Sequence, residues 1–511
     1  MKLSGCVVRR CVAGLFLVLV AGLLFLKSVN AGLNHDEQQF VAPPVLIAQN
    51  GALPYRDFAL LHMPNLVFVY AALDRLTSYH LLAARLFTGV CAWAIVALVF
   101  AACHRLLGTY SPWRRLALAC SFAILLLFST LALKTNGRTW NHDPALLLVL
   151  LGFLAYVVAG RGGRAGAWIF ASGVLVGLAV GTRLTFAPIV APFGLAILLC
   201  SQSEWSRRLK LAVFFSVGVL VAVLPALYFL GSQPEPFFYG NVLSQRLRLA
   251  DPTDEWAHKT ATLWRKVRFF TKVVMAGDAP LFLSFLAIGV PGLVAHFRHA
   301  FHGGRRLLWS GAILLPLLIP FVFAGALAPT RFQHQHYHAL APFLLIAACF
   351  GLSQWTSRAR MAAVFICLLA GASVMLSWNE VKEFAKPREF SRWVPVKVHR
   401  IGREIARLAG SGRVLTLAPI YPLEGGAQIY DELAVGPFAY RLAHLMPPEK
   451  RRRVHVCAPE DLPALLEREP PSAILLGAEG EKLEAALRDH ARSKGFTQAR
   501  QFGKLTLWIA P

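Results

Sequence analysis

Charge is scarce in this sequence: of 511 residues, 15% are Asp, Glu, Lys or Arg, while 56% are hydrophobic. That balance excludes an ordinary soluble domain, and with a mean hydropathy of +0.53 it fits a chain that spans a membrane many times. Acidic residues are the scarcer sign, 27 against 52 Lys and Arg, for a formal net charge of +25. In a soluble protein such an excess would suggest nucleic acid. Here the basic residues fall in short clusters between apolar runs, the pattern of cytoplasmic loops, so nucleic acid is set aside as a partner. Paired cysteines are missing too: all nine except Cys457 lie in or beside apolar runs, and none has metal-ligand spacing. They read as small buried hydrophobes, which excludes a disulfide framework and a zinc site. No internal repeat of fixed period and no low-complexity tract is present.

What the chain does have is long apolar runs. A window of about 20 residues predicts eleven spans, near 11 to 29, 82 to 104, 116 to 133, 144 to 160, 166 to 181, 184 to 200, 209 to 231, 280 to 297, 308 to 328, 338 to 354 and 360 to 378. The first run can also be read as a signal peptide, since Val29-Asn30-Ala31 loosely resembles a cleavage site, but either reading leaves Asp36 outside. Eleven spans with the N-terminus inside put Arg105/Arg114/Arg115, Arg161/Arg164, Arg207/Arg208/Lys210, Arg298/Arg305/Arg306 and Arg358/Arg360 on the cytoplasmic side. Merging 166 to 200 into one helix would send the Arg207 cluster outside. The break at Thr182-Arg183-Leu184-Thr185 is therefore kept, with Arg183 at the outer surface.

The same bookkeeping gathers the chemistry on one face. Asn34-His35-Asp36-Glu37 follows the first run, and Gly51-Ala52-Leu53-Pro54-Tyr55-Arg56-Asp57-Phe58 and His62-Met63-Pro64 come after it. Lys134 to Pro144, with Arg138 and Asn141-His142-Asp143-Pro144, lies outside as well, as do the loop from 232 to 279 and Arg331-Phe332-Gln333-His334-Gln335-His336-Tyr337-His338. An acidic pair opening the first outer loop, followed by Gly-x-x-Pro-Tyr-x-Asp, resembles the GT-C glycosyltransferases, integral-membrane enzymes that take a sugar from a polyprenyl-phosphate carrier. Within that superfamily it is most similar to the bacterial relatives of protein mannosyltransferases and lipid A aminoarabinose transferases. The resemblance covers roughly the first 350 residues.

That resemblance implies an inverting transfer, for which a carboxylate must take the proton of the acceptor hydroxyl. Asp36 and Glu37 are the leading candidates; as neighbours on a helix they diverge by about 100°, so one would act and the other orient it or hold a cation. Both could instead simply complement a helix dipole. Asp143 stands where the family often has a second acidic residue, and Asp143-Pro144 equally suits an N-cap and first helical position for the fourth span. Arg331 resembles the family's later outer-loop basic residue and is the candidate for the carrier phosphate, with Arg183 and Arg138 beside it. His142, His336, Tyr337 and Asp57 complete the expected substrate contacts. His334, His336 and His338 alternate, which on a strand would share a face, but no Cys or carboxylate completes a metal site, and an interfacial polar cluster is preferred. A divalent cation is left open by the family and not required by the sequence. In the 232 to 279 loop, Arg246, Arg248, Lys259, Arg265, Lys266, Arg268 and Lys272 are interleaved with Trp256, Trp264, Phe269 and Phe270, which suits an amphipathic helix lying on the lipid surface; simple anchoring is preferred, and guiding a polyprenyl phosphate is the alternative.

Beyond Trp378 charge returns throughout, so residues 379 to 511 are expected to form an extracytoplasmic α/β domain after a transmembrane domain of residues 1 to 378. Strands are predicted at 414 to 417, 472 to 476 and 505 to 509, with a helix from Lys482 to Lys494. Neither a Gly-rich phosphate loop nor a nucleophile elbow occurs there, which points to a cap or acceptor-docking role. The expected fold class is thus an α-helical polytopic membrane protein, GT-C-like, with a small C-terminal α/β domain, in the plasma (inner) membrane. The expected activity is hexosyl or pentosyl transfer from a polyprenyl-phosphate sugar to a glycan, lipid or protein acceptor. The alternatives are a transporter or flippase, which would more naturally show charges within spans or inverted repeats, and a non-catalytic subunit of envelope polysaccharide assembly.

Overall fold

The computed structural model of the chain describes residues 5–160, 163–199, 204–251, 262–303, 311–331, 333–355 and 359–511. Arg161, Trp256, Lys259, Arg305, Arg306, Phe332 and Arg358 lie outside the described residues. Helices α1 Gly5–Asn30, α2 Gln38–Asn50, α3 Asn65–Asp74 and α4 His80–Leu106 open the chain. They are followed by α5 Pro112–Leu127, α6 Thr130–Thr135, α7 His142–Ala159, α8 Ala165–Thr182, α9 Val190–Leu199 and α10 Trp205–Ser232. Further long helices cover Ala279–Arg298, Gly311–Leu327, Leu340–Gln354 and Ala359–Phe384. Each of the eleven predicted spans overlaps helix among the described residues; residue 200 and residues 308–310, at the ends of two of them, lie outside those residues. Seven helices among the described residues are long and apolar enough to cross a membrane; those at Leu184–Leu199, Ile313–Leu327 and Leu340–Gln354 are shorter apolar helices.

Local chemistry explains where helices stop. The predicted span 116 to 133 is cut at Leu127, because the Ser129 hydroxyl accepts from the Ala132 amide and starts α6 as a new helix. The expected break after Thr182 is present: Arg183 is extended, with φ −152° and ψ 112°, and a 3-10 turn at Leu184–Ile189 leads into α9. Helices α8 and α10 meet through glycine. A Cβ on Gly173 would lie 2.1 Å from the Phe215 carbonyl oxygen, and one on Gly218 would lie 2.4 Å from that of Phe170. Small residues here let two backbones touch, the usual device where lipid offers no hydrophobic drive to association.

The last long helix runs to Phe384, beyond the expected end at 378. After it, Val394–Ala409 is an amphipathic helix that buries Val396, Val398, Gly402 and Ile405 and stops at Gly410, whose φ is 64°. A five-stranded sheet follows: β1 Arg413–Thr416, β2 Gln428–Ile429, β3 Ala473–Leu476, β4 Thr497–Phe502 and β5 Leu505–Ile509, in the order β2-β1-β3-β5-β4. The β1 pairings to β2 and β3 are parallel; β5 is antiparallel to both β3 and β4. The three predicted strands are present, and the predicted helix is shorter, at Ala485–Ser493.

This part is tied to the membrane part by shared core. Ala42, Val45, Tyr55 and Phe58 of the first loop form one buried cluster with Leu423, Ile429 and Ala434. Polar contacts fix the register: Gln38 Oε1 accepts from the Ile420 amide at 3.0 Å, and the Glu424 carboxylate accepts from the Leu81 amide and lies 3.1 Å from His399.

Candidate active site

Asn34 caps a 3-10 turn at His35–Glu37: its side-chain oxygen accepts from the Asp36 amide at 2.8 Å, while the Glu37 carboxylate accepts from the Asn34 amide at 2.8 Å. This reciprocal cap sends the adjacent carboxylates in different directions. Glu37 turns inward and is fully buried, where Arg85 grips it through Nε at 2.8 Å and Nη2 at 2.6 Å. Arg85, also fully buried, donates further to the carbonyls of Ser28, Ala31 and Gly32, and the Thr139 amide donates to Glu37 at 3.2 Å. Burial alone would raise the Glu37 pKa, but the Arg85 guanidinium outweighs it and holds the carboxyl below its ordinary value. Glu37 therefore clamps α1, the first loop and α4 together, and it is not among the residues that line the cavity which Asp36 enters.

Asp36 turns the other way, into a cavity of about 800 Å³. Four arginines line that cavity, Arg183, Arg246, Arg248 and Arg331, and Asp36 is its one carboxylate among the described residues. Burial pushes the Asp36 pKa up, with His35, Arg248 and Arg331 drawing it partly back. His62, His142 and His336 line the same space. Burial, with Arg183 next, lowers the pKa of both His62 and His336 to about 3, so these rings are neutral. Arg183 is held by the Asn141 side-chain oxygen at 2.7 Å, Thr185 Oγ1 at 2.8 Å and His142 Nδ1 at 3.3 Å. Asp36, Arg183, Arg331, His142 and His336, drawn from four separate stretches of sequence, thus line one cavity.

Other expected residues lie elsewhere. Asp143 is buried with its carboxylate 2.9 Å from His338 Nε2; helix α7 begins at His142, so Asp143 and Pro144 are its second and third residues and not the cap and first. Arg138 donates to the Gly32 carbonyl at 3.2 Å, lies 3.9 Å from Glu37 and rests on Trp140, so it braces the clamp. Asp57 pairs with Arg56 at 2.7 Å and accepts from the Leu53 amide, closing its own turn. Tyr337 is fully buried among Phe269, Phe270 and Phe323. The strand reading of His334, His336 and His338 also fails, because His334–Tyr337 is a helical turn that parts the rings. His334 meets Phe269, His336 lies parallel to His142, and His338 meets Asp143. No group of three His, Cys, Asp or Glu among the described residues has metal-holding geometry, and no step is routed through a cation.

Sequence reasoning preferred the lipid surface for Arg246 and Arg248, yet the helix Ser244–Ala250 brings both to the cavity. The available signal was helical spacing: Asn241, Gln245 and Arg248 follow at steps of four and three, and Val242 and Arg246 at a step of four, and all five line it. In the same loop Trp264 is exposed, as an anchor would be, whereas Lys266 donates to the carbonyls of Leu327 and Pro329. The C-terminal part contributes Phe438 to the cavity wall; its ring lies 4.6 Å from that of His35 and under the Arg248 guanidinium.

A polar, arginine-rich cavity thus lies at one end of this helix array, with the α/β unit contributing to its wall, and the whole arrangement is a known membrane fold. Two crystal structures of ArnT from Cupriavidus metallidurans share it. The one bound to undecaprenyl phosphate superposes with a TM-score of 0.61 at 15% identity, over 98% of this chain and 97% of that one. The apo structure gives 0.62 at 15% identity over 97% of each. No protein-family model and no curated sequence matches the chain.

Proposed function

We propose that the chain is a glycosyltransferase that moves a hexosyl or pentosyl group from a polyprenyl-phosphate carrier to an extracytoplasmic glycan, lipid or protein acceptor, with inversion. The observation that carries this is a single carboxylate, Asp36, facing four arginines in one cavity of a GT-C fold, a fold that in ArnT accommodates undecaprenyl phosphate. In this reading the acceptor oxygen attacks the anomeric carbon, its proton passes to Asp36, and the bond to phosphate breaks with the electron pair leaving on the carrier. Arg331 and Arg248 act electrostatically on Asp36 and supply planar forks suited to phosphate oxygens. Arg183, fixed by three partners, adds preorganised positive charge where the leaving phosphate gains negative charge. The purified protein, given radiolabelled polyprenyl-phosphate sugar and a membrane-glycan extract, should move label out of the carrier fraction. Carrier that is bound but never discharged, or is found across the bilayer of a proteoliposome, would favour the subunit or flippase reading.

We further propose that the cavity opens on the non-cytoplasmic face of the plasma membrane, because the basic clusters between predicted spans then all lie inside. Reporter fusions after Gln202 and after Trp378 should report inside and outside respectively. A reversed pair would overturn the orientation and the extracytoplasmic acceptor with it.

A further inference from the structure

The run from Gly51 to Phe58, singled out in the sequence, has no part in the reaction described above, yet it holds a strained residue. Gly51 ends α2 with φ 67° and its amide on the Ile47 carbonyl. The chain then closes a tight turn: the Leu53 amide donates to Asp57 Oδ2 at 2.7 Å, the Asp57 amide returns to the Leu53 carbonyl at 3.0 Å, and the Tyr55 amide donates to the Phe58 carbonyl at 2.9 Å. Inside that turn Tyr55 has φ 64°, one of two residues other than glycine with a positive φ among the described residues. A bulky side chain takes this conformation only where its surroundings compel it, and such strain collects at functional sites.

What surrounds Tyr55 is the segment that brings Arg246 and Arg248 to the cavity. The fully buried ring lies 5.2 Å from the rings of both Phe229, on α10, and Phe237. Its hydroxyl donates to the His62 carbonyl and accepts from Asn241 Nδ2 at 3.2 Å; the polarity is fixed, because a carbonyl only accepts and the phenol has one proton. Asn241 Nδ2 gives its other hydrogen to the Phe237 carbonyl at 3.1 Å. Helix runs without a break over residues 234 to 250, with a π-helical turn at Tyr239–Leu243, so Asn241 stands about two turns before Arg248, and both line the cavity. The helix backbone is pressed against the same loop: a Cβ on Gly240 would lie 2.0 Å from the Leu60 carbonyl oxygen. Packing of this kind sets how near the helix comes. A directional bond to both sides adds what packing leaves free, the rotation of the helix about its axis.

We infer that Tyr55 is a positioning residue: its hydroxyl ties the loop at His62 to the helix over residues 234 to 250 and so sets where Arg248 stands relative to Asp36. The inference rests on the reading of Arg248 as a phosphate-binding group and adds the residue that aims it. The test is a double-mutant cycle on the binding of sugar-free polyprenyl phosphate to the purified full chain in detergent. Arg248→Gln removes a charged partner of phosphate and should weaken binding by about 10- to 100-fold. Tyr55→Phe keeps the ring and removes the hydroxyl; it should cost a part of that, about 3- to 10-fold, and in the Arg248→Gln background no more than about 2-fold, because its effect passes through the missing group. A second readout is the pH profile. Burial raises the Asp36 pKa, and Arg248, with His35 and Arg331, draws it partly back against Glu37. In Tyr55→Phe the acid limb of kcat/KM should therefore lie higher in pH than in the parent, a shift that lost stability alone would not cause. Asn241→Ala breaks the same link from the helix side and should reproduce both results, which keeps the test decisive if Tyr55→Phe does not fold. Equal factors in the parent and Arg248→Gln backgrounds, or an acid limb that stays in place, would make Tyr55 a support of the fold alone and overturn the inference while the transferase reading stands. Failure of the unaltered protein to bind the lipid overturns the transferase reading itself.

Discussion

Asp36→Asn should lower turnover by about 100- to 10,000-fold, or roughly 3 to 5 kcal/mol of barrier, with donor binding retained. The amide has nearly the shape of the carboxylate but cannot take the acceptor's proton, and among the described cavity-lining residues there is no second carboxylate to replace it. The raised pKa of Asp36 gives this prediction a pH signature. The base works only when ionised, so kcat/KM in the unaltered protein should rise with pH through an acid limb lying above the ordinary Asp value of about 3.9. Stability runs the opposite way. A carboxyl whose folded pKa exceeds its unfolded one keeps its proton longer in the folded state, so stability falls as pH rises from the unfolded value to the folded one, and the penalty is complete above that. Asn carries no such penalty, so the variant should melt no lower than the parent at neutral pH. Near-normal turnover with a defined donor and acceptor would remove Asp36 from the role of base, and an acid limb at the ordinary Asp value would remove its link to burial.

Glu37→Gln should act on the fold first and on catalysis through it. Breaking a buried ion pair by removing one charge costs about 3 to 5 kcal/mol. Both side chains here are fully buried, and four donors converge on the carboxylate: Arg85 Nε and Nη2 and the amides of Asn34 and Thr139. An amide nitrogen in place of one carboxylate oxygen sets donor against donor. The three carbonyls that Arg85 also reaches soften the loss, which places the expected cost at the lower end of that range, about 3 kcal/mol. The midpoint of thermal unfolding in detergent should drop, and turnover should fall with it, because the same clamp holds the turn that aims Asp36. A melting temperature equal to the parent's would show that the pair does not carry the loop. The native pair should itself fail in acid: the folded pKa of Glu37 is depressed, so its contribution is present above the unfolded value and is lost as pH falls through the folded one.

How far the sequence disclosed all this depends on whether each signal was local. Apolar runs of span length are local, whereas the break at Arg183 was readable only through the sidedness of the basic clusters along the whole chain. The sheet was readable where its strands are buried on both faces, as at Ala473–Leu476, and unreadable at Thr497–Phe502, whose edge position leaves mostly polar, exposed residues with no alternation. Arg85 was missed for a different reason: it sits within the apolar stretch that reads as a span, and the carboxylate that makes it tolerable lies 48 residues earlier in the chain. The same distance hid the place of Glu37: which member of the acidic pair faces Arg85 and which lines the cavity is decided only in the folded chain. Arg246 and Arg248 read as a membrane-surface pair beside the aromatic residues of their loop, a stronger local signal than the helical spacing from Asn241 and Val242 that faces them to the cavity.

The sharing of a hydrophobic core between the first loop and the C-terminal part bears on how the protein is made. The turn carrying Asp36 is synthesised well before the residues it leans on: Gln38 finds the Ile420 amide, His35 finds Glu479 at 2.9 Å, and Phe438 closes the wall only once residues about 400 positions later exist. A nascent or prematurely terminated chain with every helix inserted would still hold an unfinished pocket. Docking of the sheet-bearing part is in that sense the step that completes the pocket wall.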